Sequence, residues 1–152
     1  MDDVNLFLVH AIQLEHDAAR RFEDLAHAMR TVGNQDVENL FRRLGEFSRK
    51  HLASVMARGG YHELPKLAPS EYKWPEGVSP EAVSWEGVDD SLDVAGALDV
   101  ALAGERGGYN YYRAVADGTR DPEVRRLARE FASEEAEHVA ELERWISRST
   151  AV

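Results

Sequence analysis

The run FASEEAEHVAEL, residues 131–142, carries the clearest signal in the chain. In it Glu135 and His138 are three residues apart, which places a carboxylate and an imidazole one turn apart on one face of a helix. Both side chains can then bind one metal ion from the same side. A Glu-x-x-His pair is common in acidic helices, so its meaning depends on whether other helices carry matching residues.

The sequence predicts four long helices. Apolar residues recur every three or four positions over residues 4–32 and 37–58, and again over about 91–117 and 122–147. Short turns follow the first and the third helix, so each pair should be antiparallel. The segment of about 60–90 is proline-rich and too long for a bundle turn, so we expect a crossover that makes the second and third helices parallel. The predicted fold is an all-α four-helix bundle.

Two features are expected within the crossover. The run Ser79-Pro80-Glu81 should start a short helical turn, and Trp74 and Trp85 should pack the segment against the surface of the bundle.

Composition limits the classes of function. The 152 residues suffice for a single domain, here 1–152. A net charge of −10 disfavours nucleic acid and anionic membranes as partners, and no apolar run approaches the ~20 residues of a membrane span. The acidic N-terminus is unlike a signal peptide, so a cytoplasmic location is expected. Since the chain has no cysteine, a bound metal must be held by oxygen and imidazole nitrogen, which suits iron, manganese or zinc.

The apolar face of every long helix is interrupted by a polar residue that could bind a metal. Glu15 and Glu105 lie among apolar and aromatic positions, where an uncompensated carboxylate costs several kcal/mol. Residues 37–52 also align with residues 124–139 without a gap, which places His51 over His138. This weak repeat predicts a bundle with pseudo-twofold symmetry and a site at its centre.

Because of these glutamates and histidines and their spacing, the chain resembles the ferritin-like superfamily, most closely the erythrin domain of rubrerythrin-type proteins. That family carries Glu, Glu-x-x-His, Glu and Glu-x-x-His on its four helices in order. The resemblance covers nearly the whole chain, including the crossover. It implies two bound iron ions, with manganese or zinc possible. The implied ligands are Glu15, His51, Glu105, Glu135 and His138.

Ser48 departs from the family pattern, because it stands where the family has a bridging glutamate. By analogy, Glu15 and His51 would hold one ion and share Glu135 with the other. The loss of one carboxylate implies weaker binding on the Glu15/His51 side and an open coordination position near Ser48.

The third helix differs as well. Rubrerythrins that reduce peroxide carry an additional carboxylate one turn after the ligand of this helix, and the present chain has Gly108 there. Gly107 and Gly108 would open a channel or allow close helix packing. Tyr109 and Tyr112 are candidates for hydrogen bonding next to the metal, although tyrosines at such positions more often only pack in the core.

The resemblance implies a non-haem di-iron or di-manganese oxidoreductase that acts on peroxide or O₂, with no catalytic residue beyond the metal ligands. Because the four cysteines of a rubredoxin domain are missing, an external electron donor is expected, and a homodimer is implied by the family. One alternative is a ferroxidase or iron-handling protein. The sequence ends just past the fourth helix, without the short fifth helix of storage cages, so a cage is not expected. The other alternative, supported by Ser48, is a metal-free bundle with a decayed site.

The other histidines and two glutamates near the motif are expected to face solvent. These are His10, His16, His27, His62, Glu134 and Glu137.

Overall fold

The computed structural model describes residues 1–83 and 92–150. In chain order the elements are α1 (Val4–Val32), α2 (Gln35–Gly59), a 3₁₀ turn (Pro69–Glu71), α3 (Pro80–Val83), α4 (Val94–Gly118) and α5 (Pro122–Thr150). The four long helices confirm the all-α bundle, and α3 confirms the short helical turn expected near Pro80. No helix in this part of the chain has the length and apolar character needed to cross a membrane.

Local sequence signals set the ends of the helices. Gly33 adopts the left-handed conformation with φ +80°, and its amide bonds to carbonyls of the last turn of α1. Asn34 then caps α2, since its side chain accepts a hydrogen bond from the amide of Val37. Asp93 caps α4 in the same way. Residue 91, where this helix was expected to begin, lies outside the described residues.

The hydrophobic core consists of two clusters separated by a polar layer. One cluster contains Phe7 and Phe131, and the other contains Phe22 and Leu142. α1 and α5 run from the first cluster to the second, whereas α2 and α4 run the opposite way. The pairs α1–α2 and α4–α5 are therefore antiparallel, and the parallel direction of α2 and α4 confirms the crossover. Every long helix passes through the polar layer near its middle.

The crossover is anchored on α1 by His10, which we had expected to face solvent. That expectation is wrong: His10 is fully buried, and its Nε2 accepts a hydrogen bond from the amide of Lys73 at 2.7 Å. The rings of Tyr72 and Trp74 pack against the imidazole, as the packing role expected for Trp74 requires. Burial lowers the pKa of His10, which favours the neutral imidazole that this hydrogen bond needs. Trp85, expected to play a similar role, lies outside the described residues.

Candidate metal centre

Three possible ligands form a compact group in the polar layer. Glu105 of α4 and Glu135 and His138 of α5 each offer a donor atom, and the three atoms lie within 4.8 Å of one another. His138 Nδ1 is 3.3 Å from Glu105 Oε2. All three residues are buried. The spacing of Glu135 and His138 puts both on the same face of α5, so this half of the centre follows from helical geometry and the packing of α4 on α5.

The other half of the layer is formed by α1 and α2. His51 Nδ1 lies 3.1 Å from Glu15 Oε1, and the Tyr112 hydroxyl donates a hydrogen bond to the same oxygen at 3.1 Å. Ser48 is buried one turn before His51. The structure thus brings Glu15, His51 and Ser48 to the layer that also holds Glu135.

Two residues near the centre differ from expectation. Glu134 was expected to face solvent, but this is wrong, because its Oε2 lies 3.1 Å from His51 Nε2 and its side chain is only partly exposed. Tyr109, a candidate for hydrogen bonding beside the metal, is only half-buried. Its hydroxyl accepts a hydrogen bond from Arg113 on the outer side of α4, so the structure does not bring it to the cluster. Residues three positions apart on a helix differ in direction by about 60°, and of these two tyrosines it is Tyr112 that is fully buried.

A buried cation that sequence reasoning missed lies beside the cluster. Arg21 of α1 is fully buried, and its Nη2 donates a hydrogen bond to Glu105 Oε1 at 2.9 Å. Its Nη1 forms an ion pair with Glu81 of α3, which is also fully buried. Arg21 follows the core residue Leu14 by seven positions, two helical turns, so periodicity would have indicated burial. The crossover has no periodicity, and no signal in the sequence marks Glu81.

The charges in the layer are poorly balanced without a further cation. Burial, followed by the negative charges of Glu105 and Glu15, raises the pKa of Glu135 well above its ordinary value. Burial would also raise the pKa of Glu105, but hydrogen bonds from Glu135 and His138 and the charge of Arg21 hold it well below 4.5. Although burial opposes it, the Glu15 carboxylate likewise raises the pKa of His51. The raised pKa values of Glu135 and His51 both reflect the excess of negative charge in this layer, which a bound metal ion would offset.

The residues present fit a metal centre of oxygen and imidazole donors. Glu135 Oε2 is buried and makes no hydrogen bond with any residue in the described part of the chain. Buried polar atoms are normally satisfied, so atoms left in this state indicate a missing partner. Carboxylate and imidazole donors suit iron, manganese or zinc.

Comparisons with known proteins agree with this arrangement. The rubrerythrin family model matches residues 96–150, which include Glu105, Glu135 and His138. A solved structure, that of an uncharacterized conserved protein from Magnetospirillum magnetotacticum MS-1, is 39% identical to this chain. The alignment covers 93% of this chain and 92% of that one, with a TM-score of 0.75. A comparison with curated protein sequences gave no significant match.

These findings define the class of protein: the chain belongs to the ferritin-like family of rubrerythrin type. Together with the carboxylate and histidine cluster, membership of this family indicates metal binding.

Proposed function

We propose that this chain is a rubrerythrin-like non-haem oxidoreductase that uses two iron or two manganese ions to act on peroxide or O₂. The observation that carries the proposal is the group formed by Glu105, Glu135 and His138, whose donor atoms converge within 4.8 Å in a buried layer. The second ion would be held by Glu15 and His51, with Glu135 between the two. When bound, such ions supply the electrons that reduce peroxide or O₂.

The protein residues contribute position, exclusion of water and protons. The two apolar clusters on either side of the layer keep it dry, which strengthens the electrostatic interactions of the carboxylates. Tyr112 orients Glu15 through its hydrogen bond, and its phenol is held in the protonated form because burial raises its pKa. Burial and the neighbouring carboxylates raise the pKa of Glu135 in the metal-free chain, and the positive charge of a bound ion would favour its ionised, metal-binding form. An external electron donor and a homodimer belong to this proposal.

One observation favours the metal-free alternative. Arg21 already pairs its positive charge with Glu105. In a site that has lost its metal, such a cation would take over part of the charge compensation. Under that hypothesis the bundle binds no metal, and its stability does not change on addition of iron. A ligand specific for the folded state must instead raise the unfolding temperature with concentration.

The deciding experiment is an anaerobic ferrous titration of the metal-free protein, run beside Glu135→Ala. We expect two ions per wild-type chain and the loss of both in the variant, because Glu135 serves both positions. Glu137→Ala is the matched control: residue 137 is exposed on the same helix, so this variant should bind as the wild type does.

The loaded wild type would then be mixed with peroxide and with O₂ while oxidation is followed by absorbance. Binding with oxidation by either supports the oxidoreductase. Binding of two ions with no reaction would overturn it, and the absence of binding would favour the metal-free bundle. Oxidation followed by release of ferric iron would favour the ferroxidase alternative.

A further inference from the structure

One face of α4 is made of glycines, and α3 packs on it. A methyl group built on Gly107 would lie 3.1 Å from Pro80 Cβ, tighter than ordinary van der Waals contact. One built on Gly108 would lie 3.1 Å from Glu81 Oε1, and one on Gly104 would overlap the Arg21 guanidinium. Close packing, one of the two roles expected for these glycines, is the one observed. Without side chains at these positions, the crossover can approach the polar layer.

This close approach delivers the carboxylate of Glu81 to the candidate metal centre. Glu81 Oε1 and Glu135 Oε2 lie 3.1 and 3.6 Å from the same point, the place of a Cβ at position 108. The other oxygen of Glu81 contacts Arg21, which in turn donates to Glu105. Glu81 is therefore linked to one predicted ligand through a cation and shares a small space with another. It occupies the place where a side chain of residue 108 would be.

The burial of Glu81 needs a reason, because an apolar residue would cover the glycines of α4 at a lower energetic cost. Glu81 is fully buried, as are Arg21 and Glu105. Arg21 faces the carboxylates of both Glu81 and Glu105. Glu15 and Glu135 add two more acidic groups to the same layer. Among the described residues of this layer, the carboxyl groups still outnumber the basic side chains when His51 and His138 are counted with Arg21. A divalent cation in reach of Glu81 and Glu135 would correct that imbalance.

We propose that Glu81 is an additional metal-binding residue of this centre, a carboxylate ligand that the crossover supplies on the Glu105/His138 side. The proposal rests on the metal centre proposed above. In the metal-free chain Arg21 holds the Glu81 carboxylate beside the centre. When a metal is present, one Glu81 oxygen binds it next to Glu135, in the space left open by Gly108.

The test uses Zn²⁺ as a probe that does not change oxidation state. Calorimetric titrations would compare the full-length metal-free wild type with Glu81→Gln, which keeps the shape of the side chain and removes its charge. We expect the tighter Zn²⁺ site to weaken at least about tenfold, in the range seen for groups that support metal ligands. Glu76→Gln is the control, since residue 76 lies in the same crossover and is exposed, and it should bind as the wild type does.

A crystal structure of the Zn²⁺-loaded wild type decides the matter even if Glu81→Gln does not fold. We expect a Glu81 oxygen at about 2.0–2.2 Å from a zinc ion. A structure with zinc bound and Glu81 still on Arg21 would overturn the inference, as would unchanged affinity in the folded variant. If the wild type itself binds no Zn²⁺ or Fe²⁺, the proposed function fails and the ligand role of Glu81 fails with it. If only the ligand role of Glu81 is wrong, the wild type still binds Zn²⁺ and Fe²⁺.

Discussion

His138 and His51 occupy matching positions on α5 and α2, yet the two halves of the centre around them differ. His138 Nδ1 faces Glu105, a carboxylate that also accepts a hydrogen bond from Arg21. His51 Nδ1 faces Glu15, which instead accepts a hydrogen bond from the neutral hydroxyl of Tyr112. The first half is thus linked to the buried cation Arg21, whereas the second is linked to the phenol of Tyr112 and, through His51 Nε2, to the partly exposed Glu134.

The carboxylates are also distributed unequally. One turn before His138 stands Glu135, whereas one turn before His51 stands Ser48. The ion pair between Arg21 and Glu81 adds a buried carboxylate to the Glu105/His138 side, whereas the carboxylate added on the His51 side, Glu134, is partly exposed. Since the affinity of such sites depends on the charge and number of their ligands, an internally repeated fold can hold two ions with different strength. We expect the tighter ion on the Glu105/His138 side.

The largest effect is expected from removal of one histidine from each half. His138→Gln should weaken the tighter ferrous site by more than about 100-fold, since even the loss of a supporting partner costs 10–100-fold. His51→Gln should leave the tighter ion in place and remove only the weaker one. Anaerobic ferrous titrations of both variants check this. Equal losses in the two variants would show that the halves are equivalent.

Restoring the missing carboxylate should reduce the difference between the halves. We expect Ser48→Glu to tighten the weaker ion by more than about tenfold, a gain of about 1.4 kcal/mol. Because Ser48 is buried, the larger side chain should lower the stability of the metal-free protein by about 1–3 kcal/mol. Manganese titration and thermal unfolding measure the two effects. In Ser48→Ala, which adds no ligand, the weaker ion should bind as in the wild type, and a similar gain there would refute the explanation.

Glu135 is shared by both halves and should give the metal-free protein a distinctive pH dependence. Its pKa is raised from 4.5 in the folded state, so its contribution to stability is present below pH 4.5 and is lost as the pH rises towards the folded value. His138, with a pKa raised from 6.5, contributes a further loss only above pH 6.5. Urea unfolding between pH 4.5 and 6.5 should therefore show a flatter curve for Glu135→Gln than for the wild type. Parallel stability curves for the variant and the wild type would mean that the pKa of Glu135 is not raised in the folded protein.

The smallest effect is expected at the phenol of the weaker half. Tyr112→Phe removes the hydrogen bond to Glu15, which is worth about 1 kcal/mol, so the weaker ion should bind roughly fivefold less tightly. Tyr111→Phe is the matched control, because the hydroxyl of buried Tyr111 makes no hydrogen bond within the described residues. Manganese titration of both variants would separate them. An equal loss of affinity at both ion sites would contradict the assignment of Tyr112 to one half of the centre.

The four helices and most of the polar layer could be predicted from the sequence. Helical periodicity relates positions a few residues apart, so Glu135 and His138 had to share a face once the segment was helical. The internal repeat then placed His51 on the matching face of α2. The apolar positions that recur every three or four residues indicated which side of each helix is buried. Glu15 and Glu105 lie on those sides, so both could be placed in the core.

The partners of these residues were decided only by the tertiary structure. Arg21 donates a hydrogen bond to Glu105, which is 84 positions away in the sequence. The amide of Lys73 donates one to His10, which is 63 positions away. Such contacts depend on how α1, α4 and the crossover pack, and periodicity within one segment carries no information about them. Glu81 is the extreme case, because its segment has no long helix to orient it and its burial depends on glycines in α4. The sequence by itself determined the bundle and the side chains that line its centre. Packing between distant segments decided which charges stand beside them.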